Sequence, residues 1–460
     1  MSAAIGIRKT MKKYLSSGLL VLCSFSIYAN DCTSYYEQKN YKTAFDECTQ
    51  EAAKGDNKAE YYLGVMYNKG AGVEQNEENA VFWFTKAAEQ GHPGAQFNLA
   101  VKYNDGKGIK QDKQKALYWY TKAAEQGDSK SQYNLASIYY EGTGVDQDKL
   151  KAVYWFTKSA EQGESRAQFN LALMYSGGHG IEQDKQKAIY WYTKAAEQGE
   201  PNAQNNLGSI YKNGDGVEQD KLKAINWYTK AAEQGQSTAQ YNLADMYNIG
   251  DGLKKDKQKA IYWYTKAAEQ GDSIAQYNLA LKYYEGNGIK KDKQKAIDWF
   301  TKAAEQGMPS AQFSLGFLYS HGDGIKQDKQ KALYWYTKSA EQGNADAQNN
   351  LGSAYYQGIG VTQDKIKAIN WFSKAAEQGH LDAQYNLGHM YEVGDGIKSD
   401  KQKAVYWYTK AADGGDVEAQ YNLALIYEKG NDIEQNKSLA KKYYQLACEG
   451  HYQKACYKLR

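Results

Sequence analysis

Few residues in this sequence have the types that catalysis needs, and none has the spacing. Six histidines are scattered without a His-x-x-x-His pair, which would place two imidazoles on one face of a helix beside a metal ion. Ser438 and Lys441 form a Ser-x-x-Lys pair, but no Ser-Asp-Asn or Lys-Thr-Gly segment accompanies it. The sequence therefore predicts no catalytic residue, no cofactor and no metal site.

Pairs of glycines are the other pattern that could bind a ligand, because glycine-rich loops can surround a phosphate. Gly106 and Gly108 show this pattern, which recurs along the chain. No lysine-serine pair of a phosphate-binding loop follows them, and each pair lies between two helical segments. Glycine tolerates the left-handed backbone that a helix needs at its end, so the pattern predicts helix termination.

The tryptophans mark an internal repeat. All ten, from Trp83 to Trp407, lie 36 residues apart. A repeat of this length is a supersecondary unit that cannot bury its apolar face alone and stacks on its neighbours. The chain of 460 residues is therefore predicted to contain an array of eleven such units. Equivalent residues, which lie 36 apart, are named below by their member in residues 93–128.

The first half of each repeat has the pattern of a helix, here called helix A. Its predicted core face contains the positions of Ala95, Leu99, Lys102 and Tyr103. The Lys102 position is elsewhere mostly Ile, Met or Leu, which supports its assignment to the core. The Asp112 position is Asp or Asn in all eleven repeats, so this residue is predicted to cap the helix that follows.

The second helix of the repeat, helix B, runs from about Lys113 to Gln126. Its apolar residues cover an arc of about 160°, which is wide enough to contact more than one neighbouring helix. The small members allow close approach, and the aromatic members fill the space between helices. The arc consists of Ala116, Leu117, Trp119, Tyr120, Ala123 and Ala124.

The first thirty residues have a different pattern. Four basic residues within 8–13 precede an apolar run at 15–27, and the small Ala29 follows, as in a secretory signal peptide. The run is too short to span a bilayer comfortably. A lipoprotein alternative would use Cys23, but the bulky Leu22 stands where a small residue is needed. The chain is predicted to be exported, periplasmic or secreted, with no stable membrane insertion.

The charge of the chain argues against nucleic acid as a partner. The whole chain carries +3, and removal of the four basic residues of the signal leaves −1. Arginine, the favoured residue for forked contacts to phosphates and base edges, occurs after the signal only as Arg166 and Arg460. Nucleic acid is therefore not a predicted partner.

Four cysteines follow the signal. Cys32 and Cys48 lie near the amino end, and Cys448 and Cys456 lie near the carboxyl end. An even set in an exported chain favours disulfides, and each local pair would close a terminal helix whose outer face has no neighbour. Buried free thiols are the alternative.

The repeat resembles the Sel-1-like repeat, a relative of the tetratricopeptide repeat. The resemblance rests on Ala-Gln-Tyr-Asn-Leu-Gly/Ala, then Tyr-x-x-Gly-x-Gly-Ile/Val, then Asp-x-x-Lys-Ala-x-x-Trp-Tyr-x-Lys-Ala-Ala-Glu-x-Gly. It implies an all-α fold, a right-handed α/α solenoid of helix-turn-helix repeats, and a role as an adaptor for protein complexes in the bacterial envelope or at the host interface. The cysteine-rich members of that family carry a cysteine pair in most repeats, whereas this chain departs from them by having one only at its end.

These patterns divide the chain into four segments. The predicted boundaries are a signal peptide at 1–29, an N-terminal capping helix region at 30–58, eleven repeats at 59–450 and a C-terminal partial repeat at 451–460. The predicted function is an exported scaffold that binds a partner protein or peptide on the concave face of helix A. The alternatives are an envelope hydrolase of β-lactamase-like type, as linked to some cysteine-rich relatives, and a host-directed effector.

The candidate binding surface is the face of helix A opposite the core, formed by the positions of Phe97, Val101 and Asn104. The Phe97 position is mostly aromatic, while the other two vary freely within this one chain. Positions that the fold does not fix are available to recognise a partner, although packing between adjacent A helices is an equal alternative for the aromatic residues. The candidate residues are Phe97, Val101, Tyr133, Tyr140, Phe169, Leu173, Tyr241, Tyr277, Leu281, Tyr284, Phe313, Phe317, Tyr356 and Tyr385.

Asparagine also recurs inside helix A, at nine of ten positions from Asn98 to Asn422, although it is a poor helix former. A row of amides could bond neighbouring repeats or grip the backbone of an extended peptide. The structural role is favoured because mid-helix amides usually serve local bonding.

Overall fold

The computed structural model describes residues 31–459, so the predicted signal peptide and its cleavage site lie outside the described residues. This part of the chain contains helices and no strands. The helices are α1 Cys32–Glu37, α2 Tyr41–Ala52, α3 Asn57–Lys69, α4 Glu77–Glu89, α5 Pro93–Asp105, α6 Lys113–Glu125, α7 Ser129–Glu141, α8 Lys149–Glu161, α9 Ser165–Gly177, α10 Lys185–Glu197, α11 Pro201–Asn213, α12 Lys221–Glu233, α13 Ser237–Ile249, α14 Lys257–Glu269, α15 Ser273–Glu285, α16 Lys293–Glu305, α17 Pro309–His321, α18 Lys329–Glu341, α19 Ala345–Gln357, α20 Lys365–Glu377, α21 Leu381–Val393, α22 Lys401–Asp413, α23 Val417–Lys429, α24 Lys437–Glu449 and α25 Gln453–Lys458.

The helices form two compact units, one ending at Glu164 and one beginning at Ser165. Within each unit, 13-residue A and B helices alternate, and each A helix packs on the B helix that follows it. The predicted all-α solenoid of helix-turn-helix repeats is confirmed. None of the helices within 31–459 combines the length and the apolar content needed to cross a bilayer.

Local sequence sets the ends of these helices. In α5, Gly106 adopts a left-handed backbone with φ of 72° and donates its N–H to the Lys102 carbonyl at 2.8 Å. The Asp112 carboxylate then accepts the Lys115 N–H at 3.0 Å and caps α6, as predicted. The Asp112 N–H donates to the Tyr103 carbonyl at 2.9 Å, so the loop is closed back onto helix A.

The core lies between helices A and B and contains mostly alanine, leucine and one aromatic ring per repeat. Ala116, Tyr120, Ala123 and Ala124 of α6 are buried, as the predicted arc requires. Trp119 is only partly buried, because its ring covers the edge of the core cluster rather than entering it. Tryptophan therefore shields the junction between neighbouring repeats, and the tyrosine beside it fills the centre.

A row of buried glutamines at the Gln96 position connects each repeat to its neighbours. The Gln96 side chain donates to the Ala88 carbonyl at 3.1 Å, which also accepts the Gly91 N–H at 2.9 Å just past the end of α4. Its side-chain oxygen accepts from Gln126 at 2.7 Å. The same two bonds recur around Gln132, Gln204, Gln240, Gln276, Gln312 and Gln348.

The glutamine row loses its second bond in the last repeats. Gly414 stands where the donor to Gln384 would be, and the buried side-chain oxygen of Gln384 has no partner among the described residues. The space is taken by Leu381, since a Cβ at Gly414 would lie 2.1 Å from a Leu381 methyl group. The equivalents of Leu381 that precede it, from Pro93 onward, are Pro, Ser or Ala.

Disulfides close both ends of the described chain. Cys32 of α1 is bonded to Cys48 of α2, and Cys448 of α24 is bonded to Cys456 of α25. Helices α1 and α25 have six residues each, and an isolated helix of that length is unstable in water. The disulfides therefore attach the two shortest helices to longer ones.

Replacing Cys448 and Cys456 together by serine should release α25 from α24. The expected loss is about 2–4 kcal/mol, confined to the carboxyl end because each repeat contacts only its neighbours. Hydrogen–deuterium exchange should accelerate in α23, α24 and α25 and stay unchanged in α13–α16. Exchange that is unaltered in α25, or that rises equally throughout the chain, would contradict this account.

Gly414→Gln should extend the glutamine row only when Leu381 is reduced in size. The backbone of Gly414 is right-handed, with φ of −78°, so glutamine is compatible with it, but its side chain would meet Leu381. We expect Gly414→Gln/Leu381→Ser to be more stable than Gly414→Gln alone by about 1 kcal/mol, the net worth of one hydrogen bond. Hydrogen exchange in α21 measures this difference. Leu381→Ser alone is the control and should destabilise.

Candidate protein-binding surface

The described residues contain no arrangement that supports a catalytic function. Within 31–459 no three His, Cys, Asp or Glu side chains come together as metal ligands. Ser438 and Lys441 are both exposed on α24, and no hydrogen bond joins them in this part of the chain. The pair therefore lacks the contact between nucleophile and base that a serine hydrolase needs.

The aromatic residues at the Phe97 position pack against helix B of their own repeat. Each ring packs beside the ring at the Tyr120 position, and the ring centroids are 5.6 to 6.2 Å apart. Burial raises the pKa of Tyr120 to about 12, which shows how far its ring is removed from water. The packing alternative expected contacts with an adjacent A helix, whereas the rings pack on helix B of their own repeat at Phe97, Tyr133, Phe169, Tyr241, Tyr277, Phe313 and Tyr385.

The Val101 position provides apolar side chains that reach solvent. Leu173 is 39% exposed and Phe317 is 40% exposed, although both lie on helices whose other faces are buried. Val101 and Leu281 at the same position are partly buried against their core clusters. Leu173 and Phe317 are therefore the candidate residues with the most free apolar surface.

The tyrosines at the Asn104 position hold the loop of the next repeat. The Tyr284 hydroxyl donates to Asp323 at 2.6 Å, and Lys293 forms an ion pair with the same carboxylate. The hydrogen bond from Lys293 lowers the pKa of Asp323 most, and the hydrogen bond from Tyr284 lowers it further. In return, the hydrogen bond to Asp323 raises the pKa of Tyr284.

The same arrangement recurs two repeats later, and a third tyrosine occupies this position near the amino end. The Tyr356 hydroxyl donates to Asp395 at 2.8 Å, and Lys365 pairs with that carboxylate. Tyr140 is partly buried on α7. Tyr284 and Tyr356 therefore have a structural role in addition to their place on the candidate surface.

A pocket of 260 Å³ opens between α19 and α21 on this surface. Asn349 occupies the Phe97 position of α19, so no aromatic ring covers Phe372 of helix B, and Phe372 lines the pocket. Ser353 and Tyr356 form one wall, and Tyr385 with His389 is on the other side. An apolar floor with polar walls suits a side chain of a bound peptide.

Sequence reasoning missed a second exposed aromatic row, on helix B, which we call the helix B tyrosine row. Its rings are 53 or 54% exposed and contact the following tryptophan edge to face at 4.9 Å. The signal was present, because helical periodicity places these tyrosines on the side of helix B opposite its apolar arc. The row consists of Tyr118, Tyr154, Tyr190, Tyr262, Tyr334 and Tyr406.

The asparagines of helix A bond neighbouring repeats. The Asn422 amide donates to the Tyr408 hydroxyl at 3.5 Å, and the Asn242 amide donates to Asn205 at 3.1 Å. In both cases the partner belongs to the preceding repeat. This supports the structural role over the peptide-gripping one.

Comparisons with known proteins agree with this geometry. A family model described as Sel1 repeat matches residues 57–92, 93–128, 129–164, 165–200, 201–236, 237–272, 273–308, 309–344, 345–380, 381–416 and 417–452. The chain is similar to a protective antigen of uropathogenic Escherichia coli with an SLR fold, at 38% identity and a TM-score of 0.78, over 90% of this chain and 91% of that one. It is also similar to a Sel1 repeat protein from Oxalobacter formigenes, at 36% identity and a TM-score of 0.54, over 67% of this chain and 90% of that one. No curated protein sequence matches the chain.

The ion pairs of Asp323 and Asp395 predict a pH dependence of stability. Because both carboxyls have a lowered pKa in the folded chain, their contribution is present above the ordinary aspartate pKa and is lost as the pH falls through the folded value. Asp323→Asn/Asp395→Asn should cost about 0.2–1 kcal/mol per site at pH 7 and nothing at pH 2. Urea unfolding at both pH values checks this. Asp146→Asn, at an exposed aspartate, should show no such difference between the two pH values.

Proposed function

The chain belongs to the Sel1 repeat family, and on that premise we propose that it is an exported scaffold that binds a partner protein or peptide on the outward face of its A helices. Proteins with Sel1 repeats are protein-interaction scaffolds. The observation that carries the choice of surface is the exposure of Leu173 and Phe317. A pocket floored by Phe372 on the same face of later repeats adds to it. A few side chains that fit into pockets of the partner contribute most of the affinity of a protein interface.

Export is supported by two observations beyond the signal-like amino end. The disulfides Cys32–Cys48 and Cys448–Cys456 are of a kind that persists in oxidising compartments such as the bacterial periplasm or the cell exterior. The similar protein from Escherichia coli is a protective antigen. We therefore place this chain in the envelope or outside the cell, after cleavage near Ala29. No contact among the described residues supports the hydrolase alternative.

Replacing Leu173 and Phe317 together by alanine should weaken binding and leave the fold intact. Exposed anchors at an interface are worth about 2 kcal/mol or more each, whereas exposed residues change folding stability by only about 0.5 kcal/mol. The mature chain would be immobilised, incubated with an envelope extract of its source, and the retained proteins identified by mass spectrometry. The dissociation constant of the main retained protein would then be measured for both variants.

The control removes two aromatic residues from the other surface, each more exposed than Leu173 or Phe317. Tyr190→Ala/Tyr334→Ala takes rings that are 53 and 54% exposed from the helix B tyrosine row. We expect capture to fall for Leu173→Ala/Phe317→Ala and to persist for the control, with equal melting temperatures. The reverse result would move the binding surface to helix B. A lower melting temperature of the Leu173→Ala/Phe317→Ala variant would show that these side chains pack within the fold and do not form a binding surface.

The pocket between α19 and α21 offers a second test of the same surface. Ser353→Leu would place an apolar side chain at the mouth of the pocket. The repeat accepts leucine at this position, because the equivalent residue of α9 is Leu173. We expect this substitution to raise the dissociation constant of the partner about tenfold or more without lowering the stability of the fold. Unchanged affinity would exclude the pocket from the interface.

A further inference from the structure

A second cavity lies between α17, α18 and α19, next to the pocket floored by Phe372. Its volume is 160 Å³, and Leu333, Tyr336 and Ala354 form much of its apolar wall. Lys329 lies at its polar rim. A cavity of about 150 Å³ accommodates a benzene ring, so this one has room for one apolar side chain of a ligand.

The cavity is present because α19 carries a small residue at a core position. Ala354 is the equivalent of Lys102, and the other ten repeats have Met, Ile, Leu or Lys at this position. In the neighbouring A helices, Leu318 and Met390 are buried there, whereas Ala354 is partly exposed. The space that a long side chain fills in those repeats is therefore open in this one.

The lysine at the rim lacks the carboxylate that its equivalents bind. In four other repeats this lysine pairs with an aspartate 30 residues later, as Lys293 does with Asp323. The residue 30 after Lys329 is Ile359, and Lys329 forms no ion pair with any described residue. The same junction has thus lost both an apolar side chain and an acidic one.

The loop that carries Ile359 nevertheless keeps its usual place against the start of α18. The Gln330 side chain donates to the Gly360 carbonyl at 2.7 Å, and the same bond recurs between Gln258 and Gly288 at 2.8 Å. Ile359 therefore lines the cavity from the loop, and its side chain is 38% exposed.

The carboxylates that precede Lys329 in the chain have other partners. Asp328 caps α18 by accepting the backbone N–H groups of Gln330 and Lys331. Asp323 pairs with Lys293. Because Lys329 is also exposed, its ammonium group is accessible to a carboxylate from outside the chain.

The position of the cavity favours a peptide as its ligand. Ser353 lines both this cavity and the pocket floored by Phe372, so the two adjoin each other across α19. Ser353 is also the equivalent of the exposed Leu173 and Phe317. An extended peptide places alternate side chains on one side about 7 Å apart, and can therefore present side chains to neighbouring cavities.

We propose that this cavity binds a segment of a partner protein in which an aliphatic side chain lies close to an aspartate or glutamate. The aliphatic side chain fills the space beside Ala354, and the carboxylate pairs with Lys329. The partner supplies the two groups that Leu318 and Asp323 provide one repeat earlier. This inference rests on the proposed scaffold function, because it names the chemistry of a partner on the same face.

The test selects peptides from a phage-displayed library of random dodecapeptides on the immobilised chain. The selected sequences should be enriched in an aliphatic residue with an acidic residue one to three positions away. The most enriched peptide is then synthesised with a fluorescein label, and its dissociation constant is measured by fluorescence anisotropy. Selected peptides that lack this pairing would overturn the proposal.

Two substitutions restore what the other repeats carry. Ala354→Leu fills the cavity, and we expect it to raise the dissociation constant of the peptide about tenfold. Ile359→Asp gives Lys329 a carboxylate within the chain, and should raise the constant about threefold or more. The melting temperature should not fall, because the repeat accepts leucine and aspartate at these positions. A dissociation constant that either substitution leaves unchanged would overturn the site. If Ala354→Leu does lower the melting temperature, Ile359→Asp on the exposed loop decides.

A double-mutant cycle isolates the contribution of the charge. The peptide with its acidic residue changed to the amide should bind about threefold more weakly, and Lys329→Gln should make the two peptides bind equally. The control Thr143→Asp adds the same charge to the equivalent loop of an earlier repeat and should leave the dissociation constant unchanged. An equal loss of binding in Thr143→Asp would show general repulsion of an acidic peptide and would overturn the role of Lys329.

Failure of this inference is distinguishable from failure of the proposed function. If Ala354→Leu does not affect the peptide while Leu173→Ala/Phe317→Ala still weakens capture of the partner, the binding face stands and the cavity assignment is wrong. Sedimentation of the chain alone tests a second copy as the occupant. A dimer that Ala354→Leu dissociates would overturn the choice of a separate partner.

Discussion

The buried row of glutamines is the constraint on which the repeat depends. Each B helix ends with carbonyl groups that have no partner inside the helix, and the next A helix packs directly against them. The Gly91 N–H donates to the Ala88 carbonyl at 2.9 Å just past the end of α4, and the second lone pair of that buried oxygen can accept a donor from the next repeat. Gln96 supplies it to Ala88, and Gln126 satisfies Gln96 in turn. Each repeat therefore both gives and receives a bond.

This constraint explains why some helix A positions are fixed and others vary. The positions of Gln96 and Leu99 face the core, and the Phe97 ring covers the aromatic residue of helix B, so all three are tied to packing. The Val101 position meets no such demand and carries Leu173, Phe317 or His389 in different repeats. The Val101 position can therefore contribute to a recognition surface, because the contacts between repeats do not depend on it.

The sequence predicted those features that depend on residues near one another in the chain. The helix bounds around Gly106 and Asp112 follow from local backbone chemistry, and the apolar arc of α6 follows from helical periodicity. Contacts across 30 residues were not predicted, including the glutamine row and the fit of Leu381 into the space at Gly414. A helical wheel shows which face a residue occupies, but it does not show which residue of the next repeat it meets.

Because the sequence repeats, the longer contacts can be predicted in every repeat once they are known in a few. Side chains that meet across a junction do so at fixed separations, such as 30 residues for Lys293 and Asp323 and 25 for Lys102 and Glu77. A substitution at either position is therefore visible as a broken pair, as at Lys257 and Asn287. Because the rest of the repeat still satisfies its own junctions, such a break costs only local stability and leaves an unpaired charge or an uncovered ring. In this chain one such break, at Asn349, leaves Phe372 without a covering ring, and Phe372 lines a pocket there.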